Sequence, residues 1–141
     1  MMDRRTAIIG VVLALCAAGC DPTTESGPMD IVSDRELEAK LDGLRHNGGT
    51  EPLAALTPFV WDTVYLYREG ATADEINTDV GAEVLRPGTR LMITGVLAVF
   101  VKDGKAVKAL GILRELSFAP GRQPDGVVVQ KGFRLQAPAA G

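Results

Sequence analysis

The sequence predicts an α+β fold: an antiparallel sheet of about four strands with two helices, in the order α-β-α-β-β-β. Three observations carry this expectation. Two capping boxes, Ser33 with Glu36 and Thr72 with Glu75, each open a stretch of helical apolar spacing. Asp103-Gly104 lies between two apolar β-type runs and suits a two-residue hairpin turn. A further such run, Val127 to Leu135, follows a loop holding Pro120, Pro124 and Gly126. Strands grouped together rather than alternating regularly with helices pack as an antiparallel sheet with helices on a face.

The first helix is expected to start at Ser33, with Val32 and Leu37 at the staple positions around the cap. Leu37, Leu41 and Leu44 form one apolar stripe, while Arg35, Glu38, Lys40 and Asp42 face away. Asn47 and Gly48 tolerate left-handed dihedrals and mark its end. After Pro52 and Pro58, residues 59–68 (FVWDTVYLYR) read as the first strand. Alternation places Phe59, Trp61, Thr63, Tyr65 and Tyr67 on one face and Val60, Asp62, Val64, Leu66 and Arg68 on the other. The second helix runs from Thr72 through Ile76 and Val80 to Gly81, and Pro87-Gly88 makes a turn.

A type I′ turn at Asp103-Gly104 would set Lys102 opposite Lys105, Phe100 opposite Val107, Ala98 opposite Ala109 and Leu97 opposite Leu110. The run Leu91 to Val101 (LMITGVLAVFV) is apolar almost throughout, which fits a central strand covered on both faces or one whose second face meets a partner. Gly95 within it marks a bulge or a close backbone approach.

The 141 residues suit one domain, and 15 basic against 18 acidic side chains give a formal charge of −3, which argues against nucleic acid as a partner. Aromatic residues at 5% leave little material for stacking bases. Two cysteines and one histidine are too few for a zinc site, and no metal or cofactor is expected.

Residues 1–20 place Arg4 and Arg5 ahead of an apolar run from Ala7 to Leu15, followed by the small residues Ala17, Ala18 and Gly19. That is the layout of a secretory signal. The uncharged stretch from Thr6 to Cys20 falls short of the roughly 20 residues that span a bilayer. Ala17-Ala18-Gly19-Cys20 resembles a bacterial lipobox, although Ala17 stands where leucine is preferred. The resemblance implies cleavage between Gly19 and Cys20, removal of residues 1–19, and a diacylglyceryl-modified, usually N-acylated Cys20 as membrane anchor. An ordinary signal cut after Gly19 would instead leave a secreted domain with a free thiol. Arg4-Arg5-Thr6 leaves the choice between general and twin-arginine export open. Asp21 resembles the inner-membrane retention residue of enteric lipoproteins, and the choice of membrane also stays open.

Cleavage would remove Asp3, Arg4 and Arg5, leaving 17 acidic and 13 basic side chains, a net charge of −4. Lipid rather than basic residues must then hold such a chain at a membrane. Cys16 would leave with the signal, so the mature chain could form no internal disulfide. Residues 20–30 (CDPTTESGPMD) read as a flexible tether, 31–135 as the domain and 136–141 (QAPAAG) as a tail too small and Pro-interrupted to pack. Within the domain, residues 59–81, with Trp61-Asp62, Val64 to Tyr67 and Glu75-Ile76-Asn77, resemble small uncharacterised lipoproteins and secreted proteins of bacteria. That resemblance implies the architecture and no chemistry.

Catalytic material is sparse. His46 falls at the end of the first helix, where an imidazolium favours the dipole. Ser26, Ser33 and Ser117 lack a nucleophile elbow, Gly48-Gly49 precedes no phosphate-binding helix, and the acids at 74, 75 and 79 do not have EF-hand spacing and read as a solvated helix face. The candidate binding residues are Trp61, Asp62, Tyr65 and Tyr67: an acid on a face that alternation can bury, beside aromatic rings, with the Tyr67 hydroxyl expected to stay wet. The expectation is therefore a lipid-anchored, extracytoplasmic, non-enzymatic binding or structural module. A ligand-binding protein or enzyme centred on Asp62, Tyr65 and Tyr67, and an inhibitor or assembly factor docking an envelope protein through strand 91–101, stand as alternatives.

Overall fold

The computed structural model describes residues 28–130 and 134–137. The proposed signal, Cys20, residues 20–27 of the tether and 138–141 of the tail lie outside them. The elements are β1 (Ile31–Ser33), α1 (Arg35–Asn47), β2 (Glu51–Pro52), α2 (Leu53–Leu56), β3 (Thr63–Arg68), α3 (Ala73–Val80), β4 (Val96–Lys102), β5 (Lys105–Ile112), β6 (Gly121–Arg122), β7 (Val128–Gln130) and β8 (Arg134–Gln136). The fold is α+β. A five-stranded sheet runs β1-β5-β4-β3-β6 and a three-stranded sheet β2-β7-β8. All pairings are antiparallel except β1 with β5.

The large sheet is covered on both faces, where the sequence suggested helices on one. Against one face pack Leu37, Leu41 and Leu44 of α1, the short α2 and the small sheet, meeting Val64, Leu66, Ala98, Phe100 and Leu110. Against the other, Ile76 and Val80 of α3, with Val84 and Leu91, meet Tyr67, Leu97, Val99 and Ala109. Val96 to Val101 of β4 are consequently all buried. An unbroken apolar run is what a strand enclosed on both sides requires. Val96 to Val101 are therefore closed to a partner by this chain's own packing, whereas Met92, ahead of β4 in the run 91–101, is 74% exposed.

Local signals set the helix ends. Thr72 Oγ1 accepts from the Glu75 amide at 3.1 Å, and Gly81 closes α3 at φ 82°. Gly48, at φ 73°, closes α1 by donating to the Leu44 carbonyl at 2.8 Å. The cap of α1 is Asp34, whose Oδ1 accepts from the Leu37 amide at 3.0 Å, rather than Ser33. Ser33 is drawn into β1 opposite Gly111, and the aspartate beside it caps equally well. Val32 is exposed accordingly and forms no staple.

The Asp103-Gly104 turn has positive φ at both residues, and Lys102 faces Lys105 as expected. Beyond it the register moves by one. A bulge lets Val101 face Ala106 and Phe100 face Lys108, so Ala98 meets Leu110 and Leu97 meets Gly111. The extra residue, Val107, turns outward. Gly95 enters β4 at φ 103°, and a Cβ there would collide with the Ile112 carbonyl oxygen, so the close approach read from the sequence is present. The expected final strand 127–135 is two antiparallel strands, β7 and β8, with Gly132 in the sequence between them. Gln136, which the sequence places in the tail, pairs with Val128, and Met29, which it places in the tether, packs against the core cluster of Tyr67, Leu97 and Val99 and donates its amide to the Val84 carbonyl.

Candidate binding groove and the sequence-predicted residues

The four candidate residues do not converge. β3 begins only at Thr63, so the alternation drawn back to Phe59 fails there. Phe59 and Trp61 turn onto the Val64 and Leu66 face and pack edge-on against Phe100, with ring centroids 5.0 and 5.1 Å away. The indole Nε1 donates to Thr57 Oγ1 at 2.8 Å. Tyr65 and Tyr67 lie on the opposite face of the sheet. Tyr67 is fully buried and its hydroxyl donates to Asp79 Oδ2 at 2.9 Å, so the tip is not wet and Asp79 is not merely a solvated acid. Burial, then the neighbouring Asp79 carboxylate, push the phenol far above its usual pKa.

Asp62 is exposed rather than buried, because it precedes the strand and reaches the hairpin tip. Its Oδ2 accepts from the Asp103 amide at 2.9 Å and its Oδ1 from the Thr63 hydroxyl at 3.0 Å, with Lys102 Nζ 4.0 Å away. The Asp103 amide above all, then the Thr63 hydroxyl, hold this carboxyl below the usual carboxylate range. Asp62 thus clamps a turn whose first residue sits at positive φ without being glycine. Stability supplied by a depressed carboxyl is present above its unfolded-state pKa, about 3.9, and is lost as pH falls through the folded value. The wild-type thermal midpoint is therefore expected to fall more steeply below about pH 4 than that of Asp62→Asn, whose amide oxygen still accepts without titrating. Equal slopes would remove Asp62 from the acid response.

Two concavities lie at opposite ends of the large sheet, and none of the four residues lines either. The larger, an open groove of about 770 Å³, is built where β3 ends, β4 begins and the chain leaves β5, from Arg68 and Glu69, Thr94 to Val96, and Leu113 to Ser117. The smaller, about 360 Å³, lies at the hairpin end beside Met29, Gly81, Gly104 and Lys105. The seven residues of β4 separate the two ends by on the order of 20 Å.

Long-range ionic contacts hold the groove's walls. Arg114 pairs with Asp42 through Nε, at 2.9 Å, and Nη2, while its Nη1 lies 3.3 Å from Glu38 Oε1. Glu38 Oε2 accepts from the Leu113 amide at 2.7 Å, so α1 is fastened to the exit of β5. Arg114, first through its hydrogen bonds, holds the Asp42 carboxyl below the carboxylate range. Arg68 places its guanidinium 4.1 Å over the Phe118 ring and donates to the Phe118 carbonyl. Glu69 and Glu115 form no ion pair among the described residues. The groove's lining includes hydroxyls, two engaged arginines and free carboxylates but neither imidazole nor thiol. It offers hydroxyls, guanidinium groups and carboxylates for polar contacts.

His46 donates Nδ1–H to the Asp42 carbonyl in the last turn of α1. Among the described residues no three His, Cys, Asp or Glu side chains cluster to hold a metal, and no helix is long and apolar enough to cross a membrane. Sequence reasoning missed Arg114, whose acidic partners lie on a distant helix, and Asn77, whose amide binds the Val84 and Leu85 amides and the Leu85 carbonyl to fix the loop under α3. No local pattern marks Arg114, and the Glu75-Ile76-Asn77 stretch gives Asn77 no role by itself.

No protein-family model matches the chain, and no curated protein or solved structure matches it.

Proposed function

We propose that the chain is an extracytoplasmic lipoprotein, held at a membrane through Cys20, whose α+β domain is a non-enzymatic binding or structural module. The observation that carries this reading is the succession in residues 1–20 of two arginines, an apolar run too short to span a bilayer, and small residues ending at a cysteine. Two or three acyl chains on that cysteine make anchoring stable, where one is marginal. The groove at the far end of the sheet is the module's binding site in this reading. Chain entry at Met29, by the hairpin end, supports that assignment, because the groove then opens on the side away from the anchor.

Intact mass and detergent-phase partitioning of the protein from its own host, wild type beside Cys20→Ala, test the anchor. The wild type is expected to have lost residues 1–19, gained acyl mass and entered the detergent phase, and the variant to remain aqueous. A mature wild-type chain with a free Cys20 in the aqueous phase would overturn the anchor and leave a secreted domain.

A further inference from the structure

The hairpin end of the sheet carries a surface that neither the core nor the groove explains. Val60 is 73% exposed between the half-buried rings of Phe59 and Trp61. The Lys108 ammonium stands 5.1 Å over the Phe59 ring, and the bulge turns the neighbouring Val107 outward. Lys102 is engaged by Asp62 and Asp103, whereas Lys105 and Lys108 have no acidic partner among the described residues. An exposed aliphatic side chain between aromatic rings, with the Lys108 ammonium over one of them and Lys105 nearby at the hairpin, suits the interfacial layer of a bilayer.

The point of chain entry says what covers this surface. Met29 lines the smaller concavity at this end with Gly104, Lys105 and Ala106, on the sheet face opposite Phe59 and Trp61, and eight residues separate it from Cys20. At the limit of chain extension those residues reach about 30 Å. An acylated Cys20 therefore holds Met29, and with it this end of the domain, within about 30 Å of the membrane. Resting on the reading of Cys20 as the anchor, we propose that the hairpin end, through Val60, Trp61, Lys105 and Lys108, is seated on the phospholipid headgroup layer. The groove, Glu69 and Glu115 then face outward.

Trp61 is the only tryptophan, so its emission reports on this surface alone. The test uses the acylated protein from host membranes, reconstituted in phosphatidylethanolamine and phosphatidylglycerol vesicles with or without phosphatidylcholine brominated on its acyl chains near the headgroup. The expected result is a loss of Trp61 emission in the brominated vesicles that Val60→Asp reverses at unchanged thermal midpoint, since Val60 is not part of the core. Equal emission in both vesicles, from a chain whose mass shows acylated Cys20, would overturn the seating while leaving the anchor intact. Quenching that Val60→Asp does not alter would overturn the assigned surface. A chain of unacylated mass would sink the anchor and the seating together.

Discussion

Gly95→Ala is expected to destabilise the domain by about 3 kcal/mol or more, because strain at positive φ adds to a backbone collision that no side-chain rotation relieves. The new Cβ would meet the Ile112 carbonyl oxygen, so β4 and β5 would have to part at the edge of the groove. Urea unfolding of the wild type and variant measures the loss. Gly43→Ala is the matched control: Gly43 lies within α1 with nothing inside 4 Å of an added Cβ, and alanine there is expected to stabilise by about 0.5–1 kcal/mol. A cost below about 1 kcal/mol at Gly95 would contradict the close approach, since ordinary glycine replacements lie in that range.

Phe100→Ala is expected to cost about 3–5 kcal/mol, the usual range for emptying a large aromatic site. Phe100 is wholly buried at the centre of the sheet and receives the edges of Phe59 and Trp61. The loss should also move Trp61 emission to the red, as the indole gains water on its packed side. Val107→Ala separates this register from the one without a bulge. Exposed Val107 is expected to change stability by no more than about 0.5 kcal/mol, whereas a Val107 opposite Phe100 would cost more.

What was legible in the sequence is what short stretches decide for themselves. Thr72, Gly81, Gly48 and Asp103-Gly104 act through bonds within a few residues, and the structure uses each as expected. The Leu37, Leu41 and Leu44 stripe is buried for the same reason. What was not legible depends on partners far along the chain. Ile31–Ser33 is too short to announce a strand and exists through its pairing with β5, and that pairing in turn moved the α1 cap to Asp34. The bulge at Val107 overrode a register drawn from the turn alone. Alternation holds only from Thr63, where β3 begins; ahead of it the chain bends, so that Asp62 bonds the hairpin and Trp61 joins the Val64 and Leu66 face. The groove could not be read locally, since Arg114 meets Asp42 and Glu38 only after the chain has folded back on α1.

The direction of β1 also decides how the domain carries load. β1 runs parallel to β5, away from the hairpin end at which the chain enters. Tension arriving through the N-terminal segment would therefore act along the axis of β1. Its bonds to β5 would be sheared together instead of being peeled apart one at a time, and shear spreads force over several hydrogen bonds at once. The Met29 amide bond to Val84 stands first in line and would yield before the strand does. A three-residue strand would thus act as a mechanical stop between the N-terminal segment and the core.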